Sequence, residues 1–71
     1  MQNIEKLIAV YMTLTAGQTN IRKAGGRWII ETPEADIKHE TAEALAEDLK
    51  TNLEAMREAV EPETWREAWE A

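Results

Sequence analysis

From Ala42 to Val60 the apolar residues fall in one file. Ala42, Leu45, Ala46, Leu49, Leu53, Met56 and Val60 follow spacings of 3, 1, 3, 4, 3 and 4. That period marks a single apolar stripe on a long helix. Glu43, Glu47, Asp48, Lys50, Glu54, Arg57 and Glu58 fill the positions between them and form its wet side. Neither Gly nor Pro interrupts the run, and Glu61-Pro62 ends it, because Pro disfavours the α conformation in the residue before it. A helix with one apolar face must lay that face on another layer, so the remaining residues have to supply a cover.

Residues 19–38 supply β-prone segments. "NIRK" and "RWIIE" flank Ala24-Gly25-Gly26, and glycine provides the positive φ of a tight hairpin turn. After "WIIE", Pro33 suits position i+1 of a turn leading to a short strand, "DIKH". A rival reading makes Thr32 an N-cap and Pro33 the first helical residue, so that the long helix begins near Pro33 rather than near Thr41. Ile4–Thr15 is open to two readings. Ile4, Leu7, Ile8, Tyr11 and Met12 recur with helical spacing, with Asn3 as a cap. "VYMTLT" alternates and is rich in β-formers. The threonines tip the reading toward a strand. "PETWREAWEA" forms a second short helix, with Trp65 and Trp69 on one face.

The expected fold class is α+β: a small antiparallel β-meander of two to four short strands packed by one long amphipathic helix, plus a short C-terminal helix. Residues 1–71 make a single small domain. Residues 4–40 are expected to be mainly β, 41–60 the long helix, and 62–71 the Trp-bearing helix.

With 71 residues and no Cys, the chain has neither disulfides nor thiolate metal ligands to staple it. A homodimer is the expected staple. No Cys also fits a reducing compartment, and the N-terminal stretch reads as neither signal peptide nor membrane span. The expected location is therefore the cytoplasm. His39 is the single histidine. Beside Asp36, Glu40 and Glu43 it makes too thin a ligand set for a metal, so no metal and no cofactor are expected. Without Cys or a second His there is no nucleophile–base pair, and the chain is not expected to be an enzyme.

Net charge is -6, unevenly spread. Residues 1–31 carry four cations against two anions, and residues 32–71 carry four cations against twelve anions. Two candidate surfaces follow. The first is partner binding, through the acidic helix residues Glu43, Glu47, Asp48, Glu54 and Glu58 or through Trp65 and Trp69. Tryptophan is enriched among interface hot spots. The second, an alternative, is a nucleic-acid contact made by Arg22, Lys23 and Arg27 with Trp28 as a stacking ring. The net negative charge makes nucleic acid the weaker partner, since phosphate neutralisation dominates such affinity.

In size and charge the chain resembles small proteins encoded by phages and mobile elements, some of which block host defence or nucleic-acid enzymes, as anti-CRISPR proteins do. The expected function is a non-enzymatic protein-binding module, and in its finer form a small phage or mobile-element inhibitor. Its partner would be a basic, nucleic-acid-binding or defence protein met by the acidic helix face. The alternative is a small nucleic-acid-binding regulator using Arg22 to Trp28.

Overall fold

The structure, a computed structural model, describes residues 4–70. Its architecture is α+β: helix α1 (Ile4–Leu14), strands β1 (Asn20–Ala24), β2 (Arg27–Glu31) and β3 (Asp36–His39), helix α2 (Ala42–Ala59) and helix α3 (Pro62–Glu70). The strands form an antiparallel meander in the order β1-β2-β3.

The expected strand at Ile4–Thr15 is a helix, which corrects the reading of residues 4–40 as mainly β. Two physical facts decide it. The helical spacing buries Leu7, Val10 and Tyr11 in the core, with Ile4, Ile8 and Leu14 packed around them. The threonines that looked like sheet residues turn their hydroxyls back onto the helix. Thr13 Oγ1 donates to the Ala9 carbonyl at 2.8 Å and Thr15 Oγ1 to that of Tyr11 at 3.0 Å, a bond pattern that lets threonine sit in helices. The expected Asn3 cap lies outside the described residues.

The helix stops in a Schellman motif. The Gly17 N–H reaches the Met12 carbonyl at 3.4 Å and the Ala16 N–H that of Thr13 at 3.1 Å. Ala16 takes the left-handed position, φ 56°, where a Cβ costs about 1 kcal/mol. Thr15 Oγ1 then meets the buried Thr19 Oγ1 at 2.6 Å and ties the helix end to β1.

Gly25 and Gly26 form a two-residue hairpin loop with φ of 59° and 79°, closed by the Ala24–Arg27 pair. Positive φ at both positions is what a type I′ turn requires. The second connection is a turn over residues 32–35. Thr32 N–H donates to the Ala35 carbonyl at 3.1 Å, and the Ala35 N–H to Thr32 Oγ1 at 3.0 Å. Pro33 therefore belongs to a turn, and the long helix begins at Ala42, where Thr41 accepts the Ala44 N–H at 3.1 Å as N-cap.

Alternation divides the sheet. Ile21, Lys23, Trp28, Ile30, Ile37 and His39 share one face; Arg22, Arg27, Ile29, Glu31, Asp36 and Lys38 share the other. The first face carries Ile30 into the core, and Ile21 and Trp28 pack beside it. The helices form the second layer. α1 packs on both α2 and α3 and also meets β1, while α2 meets β3. Leu45, Leu49 and Leu53 of α2 meet Leu7, Val10 and Tyr11 of α1, and Ala68 of α3 closes the cluster. Leu49 is fully buried; deletion of such a side chain to Ala costs about 2–5 kcal/mol. No helix among the described residues is long and apolar enough to cross a membrane.

Candidate partner-binding cleft

The two flanks of α2 have different surroundings. On the flank toward the sheet, Asp48 is half-buried. Its Oδ2 lies 2.8 Å from His39 Nε2 and its Oδ1 accepts the Asn52 amide at 2.9 Å. Both carboxylate oxygens are thus engaged within the fold. The negative charge of Asp48, after burial itself, also helps raise the Tyr11 hydroxyl above its ordinary pKa. Asp48, expected in the partner-binding set, instead ties α2 to the end of β3.

The other flank carries Glu43, Glu47, Glu54 and Glu58. Their spacings of 4, 7 and 4 place them in one row along the helix. All four are exposed, and among the described residues none of them is ion-paired. Like charges one turn apart destabilise a helix by a few tenths of a kcal/mol per pair. Glu43, in the first turn, favours the helix dipole; the like-charge spacing of Glu54 and Glu58 further along gives α2 no such support.

Beside that row a cleft of about 200 Å³ opens between α2, α3 and the start of α1. Leu7 and Leu53 form its floor, Trp65 and Trp69 line it from α3, and Lys50, Glu54 and Arg57 line it from α2. The tryptophans lie one helical turn apart, with ring centroids at 5.7 Å and planes tilted by 53°. The Arg57 guanidinium sits 5.9 Å above the Trp65 ring. Neither Lys50 nor Arg57 has a carboxylate partner among the described residues. The indole N–H of Trp69 is buried and has no acceptor among the described residues. α3 takes its place because Pro62 starts it and the Trp65 N–H bonds the Glu61 carbonyl at 3.0 Å. Arg66 holds the opposite side, reaching Glu63 at 3.9 Å and Glu70 at 3.7 Å.

The basic hairpin does not form one surface. Arg22 and Arg27 lie on the outer face of the sheet, Lys23 and Trp28 on the face toward the helices. Arg22 bonds Glu31 at 3.2 Å and Arg27 bonds Glu40 at 3.1 Å. Lys23 Nζ stands 5.5 Å from the centre of the Trp28 ring, which packs against the core. Two of the three cations are thus paired with carboxylates, and the ring proposed for stacking is in use inside the molecule. His39 bonds Asp48, and among the described residues no three His, Asp or Glu are grouped so as to hold a metal ion.

Sequence reasoning identified Trp65, Trp69 and the glutamates as separate candidates. It missed Leu7, Lys50, Leu53 and Arg57 as parts of the same place. Lys50 and Arg57 could have been found from the helical period, which sets them between the apolar stripe and the glutamate row. Leu7 could not, because its contribution depends on α1 being a helix.

Comparison of the chain with protein-family models, with curated proteins and with solved structures finds no match. The functional reading rests on this geometry.

Proposed function

We propose that the protein is a non-enzymatic protein-binding module that holds a basic segment of a partner. A bulky apolar side chain of that segment enters the Trp65–Trp69 cleft, and its Lys or Arg residues lie along Glu43, Glu47, Glu54 and Glu58. One observation carries the reading: an open cleft with two tryptophans has Glu54 in its lining, and Glu54 belongs to a row of four glutamates that have no ion pair among the described residues. The volume suits one large side chain. It falls below the roughly 300–1,000 Å³ of small-molecule sites. Lys50 and Arg57 set the register, because partner cations are repelled from the rim and settle on the glutamate row. In the finer form of the proposal the partner is a nucleic-acid-binding or defence protein. The glutamates then occupy its basic surface in place of nucleic acid, in the manner of a small phage or mobile-element inhibitor acting in the cytoplasm.

The test is selection of a displayed random-peptide library on the immobilised protein, followed by titration of the enriched peptides at low and high salt. Enriched peptides are expected to join Lys or Arg to a Leu, Ile, Phe or Trp anchor. Their affinity is expected to fall about tenfold as added salt screens the exposed charges. Trp65→Ala and the double change Glu47→Lys/Glu54→Lys are each expected to abolish capture. Absence of enrichment, or binding indifferent to salt and to these changes, would overturn the proposal.

A further inference from the structure

The free edge of β3 has a self-complementary pattern. The hairpin loop closes on the Ala24–Arg27 pair, so Arg27, Ile29 and Glu31 direct their backbone groups to β1, and Trp28 and Ile30 theirs to β3. The bond from Thr32 N–H to the Ala35 carbonyl fixes the same parity from the other end. In β3, Ile37 and His39 therefore bond to β2, while the N–H and C=O groups of Asp36 and Lys38 point out of the sheet. Asp36, Ile37 and Lys38 are all exposed, and at 44% Ile37 stands out as an exposed large hydrophobic residue. Neither Asp36 nor Lys38 has an ion pair among the described residues.

An antiparallel partner strand must bring outward backbone groups opposite outward backbone groups. For a second copy of β3 this leaves three registers. One sets Asp36 against Asp36, and another sets Lys38 against Lys38; both place like charges face to face. The third sets each Asp36 against Lys38 of the other copy and brings the two Ile37 side chains together across the dyad. In that register Asp36–Lys38 are the hydrogen-bonded pairs, and Ile37–Ile37 is the non-bonded pair in which side chains approach closest. The opposite edge has no such solution, because β1 carries Arg22 and Lys23 and no carboxylate.

We propose that two copies of this chain join along β3, with the two-fold axis at Ile37, to give a six-stranded sheet. The arrangement is isologous, as closed dimers require, and it saturates an edge that would otherwise be open. It is independent of the reading of the α2–α3 cleft, which lies elsewhere on the molecule and is tested by peptide capture.

Sedimentation equilibrium of the intact chain and of two charge variants decides the matter. The native chain is expected to show twice its 8.1 kDa mass as concentration rises. Asp36→Lys and Lys38→Asp each turn both cross-dyad attractions into repulsions and are expected to weaken self-association about tenfold. Both positions are exposed, and an unchanged far-UV dichroism spectrum checks that each variant is folded. An equimolar mixture of the two variants is expected to recover the dimer, since each then faces its complement, and so is the double variant Asp36→Lys/Lys38→Asp. A native chain that stays at one-chain mass at its highest soluble concentration would overturn the proposal. So would a dimer that neither single variant weakens, or single variants whose mixture stays as weak as either alone.

Discussion

Two places in this molecule set a cation over a tryptophan, and their surroundings differ. In the hairpin, Lys23 covers Trp28, whose ring packs against the core beside Ile30, and the neighbouring arginines are paired with Glu31 and Glu40. In the cleft, Arg57 covers Trp65, whose ring also packs against the core but borders an open hollow as well, and Lys50 and Arg57 have no carboxylate partner among the described residues. Each sets a cation, Lys23 or Arg57, against an indole ring. What differs is whether the surrounding groups are already satisfied. That gathering of unsatisfied groups is what supports the proposed partner-binding cleft.

The comparison breaks first at the tryptophans. Trp28→Ala is expected to cost about 3 kcal/mol of unfolding free energy, the lower end of the range for core aromatics. Trp65→Ala is expected to cost clearly less while removing peptide capture. Urea titration of both variants checks this, and equal losses would show that the cleft ring is as much a core residue as the hairpin ring. Trp69→Phe comes next. It removes a buried N–H that lacks an acceptor among the described residues along with part of a ring, and the two effects oppose each other. Thermal unfolding is expected to place this variant within about 1 kcal/mol of the native chain.

The smallest effect lies in the hairpin's own pairing. Hydrogen bonds from Asn20 and then Arg22 hold the Glu31 carboxyl below its ordinary pKa. A depressed folded-state pKa contributes stability that is present above the unfolded value and is lost as pH falls through the folded one. Glu31→Gln is therefore expected to be slightly less stable than the native chain at neutral pH. The two should converge in acid, below the usual carboxylate range. A gap that persists there would assign the difference to shape rather than charge. The pair is exposed, so the effect at neutral pH is small.

Much of the fold was legible because its signals were local. The stripe from Leu45 to Leu53 and the Gly25-Gly26 turn each depend on a few neighbouring residues, whereas the start of the long helix, at Pro33 or at Thr41, was left open. Ile4–Thr15 was not legible in the same way. Its alternation and its helical period fit the same letters, and what decided between them was distant: α2 and α3 present apolar surface to Leu7, Val10 and Tyr11. The bonding of Asp48 to His39 was hidden for a similar reason. Its spacing from Glu47 looked like continuity, yet one residue along a helix turns a side chain to the other flank, and there His39 was waiting. The cleft was legible in parts, as tryptophans and glutamates, but its assembly depends on α1, the element whose type was misread.

The packing of α1 on α3 also bears on how the chain reaches its native state. The meander and α2 are built from contacts between segments close in sequence, which form early and cheaply. Leu7, Val10 and Tyr11 must instead meet Ala68 across nearly the whole described chain, a closure with a larger entropic cost. Closure of α1 on α3 is therefore expected to come late in folding, and the C-terminal helix is expected to open early. Its amides should exchange with solvent sooner than those of α2, and the cleft should form and vanish together with that last step.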